Sequence, residues 1–171
     1  MSNSGAFDPY AIFEALDRER VGYVVVGGFA RVVHGSAETT RGLDLVPSLR
    51  EENLRRLARA LEELGATGPE GEPLEPDALA QADPTTARTR AGEISVVPTP
   101  WGTRGYDDLR IRAFRENLGR GVRPAVASLV DCVRMLEASE RELDHERLYR
   151  LRRLMELERQ LVPQRRLGLE R

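Results

Sequence analysis

The residues able to do chemistry gather in one stretch, from Gly27-Gly28 to Leu45. It holds the two glycines, then His34-Gly35-Ser36, then Thr39, Thr40 and Arg41 leading directly into Asp44. A Gly-Ser turn at a helix end offers backbone N–H groups and a hydroxyl to a phosphate. Thr39 and Thr40 add hydroxyls, and Arg41 adds a guanidinium whose planar fork matches phosphate oxygens. A strand over 42–46 puts Gly42 and Asp44 on one face and turns Leu43 and Leu45 to the core. Gly27-Gly28 suits a phosphate loop and a plain strand-to-helix turn equally. His34 reads as a helix-end residue bonded to backbone rather than as a base.

The elements that must position these residues follow from local pattern. Asp8-Pro9 is an N-cap with proline at the first helical position, and Ile12, Phe13 and Leu16 supply an apolar stripe. Tyr23 to Val26 is a short strand buried on both faces. Phe29 to His34 reads as one short helix closed by Gly35. Ser48 with Glu51 reads as a capping box for an amphipathic helix through Leu54, Leu57 and Leu61. Residues 65–76 form a loop and 93–97 a third strand. Residues 109–114 and 122–126 read as a further strand pair, the second confined to a sheet edge by Pro124. Ser128 and Asp131 cap a helix carrying Leu129, Cys132, Val133 and Leu136, with Cys132 in the core. A long charged helix over 140–161 follows and stops at Pro163, its arginines a solvated face with i,i+4 pairs. The fold class is therefore mixed α/β, or α+β, with C-terminal helices.

Composition narrows the functions. In 171 residues, 26 basic and 28 acidic side chains leave a net charge of −2, so there is no strong nucleic-acid signal. Every basic residue is Arg, which excludes any mechanism needing a Lys amine. One Cys and two His exclude a Cys-based zinc knuckle and an internal disulfide and disfavour a His-rich metal site. No signal-peptide pattern or membrane-length apolar run is present, so a cytoplasmic location is expected.

The ordered set Gly27-Gly28, His34-Gly35-Ser36 and Leu43-Asp44-Leu45 resembles the core of the nucleotidyltransferase superfamily with the DNA polymerase β-type fold. It is most similar to the bacterial AbiEii-type and MNT-type members. The likeness continues over 48–66 and resumes at Gly92, Val96, Pro98 and Gly102. It includes the start of the capped helix at 126–131 and spans most of residues 7–145. The resemblance implies a nucleotidyltransferase-like domain over 1–126 with a helical region over 127–171 packed on it. It implies a nucleotide contact at Gly35, Ser36, Thr39, Thr40 and Arg41. It also implies three carboxylates for two Mg²⁺ ions, which activate the attacking oxygen and stabilise the leaving pyrophosphate. Here Gly42 and Ser95 stand at two of those positions, and only Asp44 remains. Glu38 stands where relatives often carry Arg, and Leu136 and Leu143 where they commonly carry Lys. Glu93 lies on the Ser95 face, and its longer side chain makes Asp44 and Glu93 the candidate catalytic and metal-binding pair for one Mg²⁺. Restoring both acids, Gly42→Asp with Ser95→Asp, is the change expected to regain metal binding.

Two functions compete. One is an inactive, diverged relative that binds a nucleoside triphosphate weakly or not at all. It acts through a protein partner or as a homodimer, by its C-terminal helices, in a toxin–antitoxin or defence setting. The other is a working transferase that moves NMP from NTP to a protein, RNA or small-molecule hydroxyl, using Asp44 and Glu93. Trp101 and Tyr106 flank the expected site and suit a packed loop anchor or a base stack.

Overall fold

The computed structural model describes residues 6–139 and 141–167. Among them lies one mixed sheet of six strands in the order β3-β4-β2-β1-β6-β5. The strands are β1 (Tyr23–Val26), β2 (Gly42–Pro47), β3 (Thr85–Thr89), β4 (Gly92–Val96), β5 (Phe114–Arg115) and β6 (Ala125–Val126). The helices are α1 (Pro9–Arg18), α2 (Gly27–Val33), α3 (Glu51–Glu63), α4 (Tyr106–Leu109), α5 (Leu129–Ala138) and α6 (Glu142–Leu167).

The centre of the sheet fixes everything else. All four residues of β1 are buried, as a strand covered on both faces requires. It runs antiparallel to β2, with Tyr23 opposite Pro47 and Val26 opposite Asp44. Strand β2 runs parallel to β4, pairing Gly42 with Glu93 and Asp44 with Ser95. Helix α1 starts as the sequence dictates, with Asp8 accepting from the Ala11 N–H at 3.2 Å, and buries Ile12, Phe13, Ala15 and Leu16. Phe13 stacks on Tyr23 with ring centroids 6.3 Å apart. Helix α5 is capped by Ser128, whose Oγ accepts from the Asp131 N–H at 3.1 Å. Helix α5 packs on α2 and carries α6, which buries Leu151.

Several elements differ from the sequence expectation. Helix α3 starts from Arg50 with no side-chain cap, so Ser48 and Glu51 form no capping box. Instead, buried Asn53 clamps the strand ends. Its Oδ1 accepts from the Gly22 N–H at 2.6 Å, and its Nδ2 donates to the carbonyls of Gly22 and Ser48 at 2.9 and 2.8 Å. Strand β3 carries one buried residue, Ala87, between threonines and arginine, so it has no apolar run to announce it. Its polar character suits an edge strand. Strand β6 lies inside the sheet, because it begins after Pro124 and β5 takes the edge. Leu109 ends the one-turn helix α4 rather than starting a strand. Helix α6 continues through Pro163 to Leu167, since a proline removes one hydrogen bond yet keeps a helical φ.

Two caps are thus distinguishable by stability. Ser128→Ala is expected to cost about 1 kcal/mol, as for a working N-cap, and Ser48→Ala less than about 0.5 kcal/mol. Asn53→Ala, which strands the Gly22 N–H and the Ser48 carbonyl while the Gly22 carbonyl keeps the Ser48 N–H at 3.0 Å, is expected to cost about 2–4 kcal/mol. Urea denaturation of the three variants checks this order.

Candidate functional site

The site forms where β1 ends, α2 begins and β2 enters the sheet. Gly27 opens α2 at φ +68, in the left-handed region, and a Cβ there would collide with the Asp44 carboxylate. Glycine is required at this position twice over, by conformation and by the acid packed against it. Burial pushes the Asp44 carboxyl above its ordinary value. The charges of Arg31, Arg141 and Arg147 and a hydrogen bond from Ser95 oppose that rise without cancelling it.

Glu38 lies at the heart of the cluster. Its carboxylate accepts from Arg31 in bidentate fashion, Nε at 2.8 Å and Nη2 at 2.9 Å, and from the Ser36 hydroxyl at 2.8 Å. Arg147 of α6 approaches the other side of it at 3.5 Å. Burial would raise the Glu38 carboxyl, but these bonds and charges outweigh it and hold the group below its ordinary value. Asp144 is buried, accepts from Ser139 Oγ at 2.5 Å and from Arg147 at 2.8 Å, and is likewise more acidic than usual. The opening of α6 therefore sends Arg147 into the site, and Arg141 adds its charge there. The solvated face expected of this stretch holds further along, as in the Arg150–Glu146 pair.

The remaining expected residues are placed as follows. Gly35 turns at φ +97, with open space where a Cβ would stand. Thr40 sits near Gly28 and donates to the Gly42 carbonyl at 2.8 Å. Thr39 and Arg41 are exposed. His34 Nε2 donates to the Ala127 carbonyl at 2.8 Å, which makes it a helix-end anchor between α2 and the approach to α5. Cys132 is buried, and burial pushes its thiol up to about 12. Leu136 packs in the core, and the Leu143 side chain falls outside the described residues. Trp101 is half exposed and stacks on Arg141, 5.3 Å from guanidinium carbon to ring centroid, at the rim of the site. Tyr106 is elsewhere. It lines a cleft of about 420 Å³ with Arg20, Arg50, Arg56 and Arg110 at the opposite end of β1 and β2.

The fit to metal is poor. Glu93 shares a face with Ser95 but is largely exposed, with Arg88 at 3.9 Å as its ionic neighbour. A Cβ on Gly42 would lie 2.5 Å from the Glu93 backbone carbonyl oxygen, so β4 already fills the space a second acid needs. Among the described residues no group of three or more His, Cys, Asp or Glu is placed to hold a metal ion. A lone buried carboxyl faced by three guanidinium charges, with no second acid beside it, is a poor match for a divalent-metal pair. Of the two positions expected to regain metal binding when restored to acids, Gly42 admits a side chain only if β4 shifts away from it. Sequence reasoning missed Arg31, Arg141, Arg147 and Asp144. The signal available was the charge reversal at Glu38, which demands a cation nearby.

The pH dependence has a definite sign. Glu38 is more acidic folded than unfolded, so its contribution is complete above its ordinary value of 4.5 and is lost as pH falls through the lower folded value. Asp44 has the opposite sign, since its raised value makes protonation on acidification favour the folded state. Wild type is expected to exceed Glu38→Gln in stability at pH 7, with the gap shrinking below about pH 4.5. Denaturation at pH 7 and pH 3 measures it.

No protein-family model matches the sequence, and no curated protein matches it. Solved structures do. The antibiotic-resistance factor ANT(2'')-Ia is 18% identical with a TM-score of 0.55, over 95% of this chain and 92% of that one. The candidate nucleotidyltransferase TM1012 from Thermotoga maritima is 14% identical with a TM-score of 0.54, over 95% of this chain and 99% of that one. At such identities the likeness speaks for architecture. The chain has the nucleotidyltransferase fold, a mixed six-stranded sheet flanked by helices.

Proposed function

We propose that this chain is a diverged nucleotidyltransferase-fold protein that has lost two-metal chemistry and acts through a protein partner. The AbiEii- and MNT-type resemblance supports a toxin–antitoxin or defence setting. The observation that carries the reading is the close approach of the Glu93 carbonyl to Gly42, which leaves Asp44 without an acid beside it on β2. Three guanidinium charges face Asp44 instead. Residues 1–126 then act as the nucleotide-type unit, in which Gly35, Ser36, Thr39, Thr40 and Arg41 are the residues an admitted nucleotide would meet. Residues 127–171 act as the partner arm, where Val130, Tyr149, Leu157 and Leu161 leave apolar surface exposed.

Two metals offset charge on the two exchanging oxygens, so losing their ligands removes several kcal/mol of transition-state stabilisation, on the order of 10³-fold or more in rate. Wild-type protein incubated with labelled NTPs and Mg²⁺ is expected to transfer no NMP to itself, to RNA or to co-purifying protein. Light scattering is expected to show a dimer or a hetero-complex. Transfer by wild type that disappears on Asp44→Ala would overturn the reading and make Asp44 and Glu93 catalysts. Gly42→Asp, alone or with Ser95→Asp, is expected to destabilise the fold by about 1–3 kcal/mol and to bring no Mn²⁺ binding by calorimetry.

A further inference from the structure

We infer that Glu38 sets the ligand specificity of this site: its carboxylate takes the place of a ligand phosphate in a cradle made by Arg31, Ser36 and Arg147, so the wild-type protein rejects triphosphates. The inference rests on the reading of this region as the remnant of a nucleotide site.

The geometry is that of an anion fully received. One carboxylate takes both forks of Arg31, the Ser36 hydroxyl and the approach of Arg147. A guanidinium receives a carboxylate and a phosphate in the same planar, two-bond manner, so either anion satisfies this cradle. The cradle adjoins the Gly pair: the Arg31 Nη2 and the Thr40 hydroxyl both lie 3.7 Å from where a Gly28 Cβ would stand. The Arg31 side chain is 11% exposed and that of Glu38 12%, so water does not substitute for either partner. A phosphate entering here has to displace an intramolecular partner held at high effective concentration. Without Glu38, a nearly buried guanidinium is left unpaired, a costly state that an anion from solution relieves. Since a terminal phosphate carries more negative charge than a carboxylate, phosphates gain most.

Thermal unfolding and calorimetry of wild type, Glu38→Ala and Glu38→Gln test this with inorganic phosphate, tripolyphosphate and ATP. Sodium chloride at matched ionic strength controls for screening. Wild type is expected to show no shift in Tm beyond the salt control. Glu38→Ala is expected to bind tripolyphosphate at least about tenfold more tightly than wild type, with a Tm that rises with its concentration. Glu38→Gln, which keeps the shape of the side chain and removes its charge, shows the same effect in weaker form and serves if Glu38→Ala does not fold. The gain is absent from Arg31→Met in the Glu38→Ala background. Equal binding by wild type and both variants would overturn the role of Glu38 while leaving a nucleotide site standing. Failure of every protein to bind would overturn both the cradle and the nucleotide reading beneath it. A gain that survives Arg31→Met would place the anion elsewhere and also overturn the inference.

Discussion

A guanidinium almost fully buried on a seven-residue helix must be neutralised where it stands, and in this chain Glu38 does so for Arg31. Breaking such a pair by removing one partner typically costs about 3–5 kcal/mol, because the survivor stays charged and buried. The pair therefore fixes the path of the segment between α2 and β2. Along that path Ser36 bonds Glu38 and Thr40 lies beside Gly28 before the chain enters β2. It also reaches across the chain: Arg147 bonds Asp144 and approaches Glu38, which ties the start of α6 to the site.

The consequence is a site whose charges satisfy one another. Arg31 and Arg147 are matched by Glu38 and Asp144, and Asp44 is a single buried carboxyl that burial raises above its ordinary value. An active two-metal centre needs the reverse, an excess of ionised carboxylates converging on a vacant volume. Under the proposed reading, the absence of acids at 42 and 95 involves more than side chains. At Gly42 the neighbouring strand lies so close that a side chain there would meet the Glu93 carbonyl oxygen. The apolar sheet core and the Asn53 clamp stabilise the scaffold alongside the Arg31–Glu38 pair.

Much of this was legible in the sequence, and what was not has a physical reason. The first helix, β1, the alternation of β2 and the Ser128 cap are each written in a few adjacent residues, and each formed as read. The placement of Ser95 beside Asp44 was an implication of the family resemblance, and the parallel pairing of β2 with β4 has that register. Strand β3 was not legible, because an edge strand needs few apolar residues and Ala87 alone is too small a signal. Nor was Asn53, a polar residue in a helix whose partners are backbone groups of two distant segments. Ser48 misled because a capping pattern forms only where the backbone delivers it, and here Arg50 holds that position. At the site, Gly42 read as a missing acid, whereas its close contact with β4 depends on strand spacing that no local pattern records. The reversal at Glu38 was visible, but its partner Arg31 lay among the apolar residues of a short helix and Arg147 far along the chain.

The proposal that this site holds no catalytic metal is tested most directly by calorimetry of the wild-type protein with Mg²⁺ and Mn²⁺, alone and with each NTP, beside Asp44→Ala. The account predicts no metal-dependent heat in wild type and no difference between the two proteins. Saturable Mg²⁺ or Mn²⁺ binding that is lost in Asp44→Ala would contradict it.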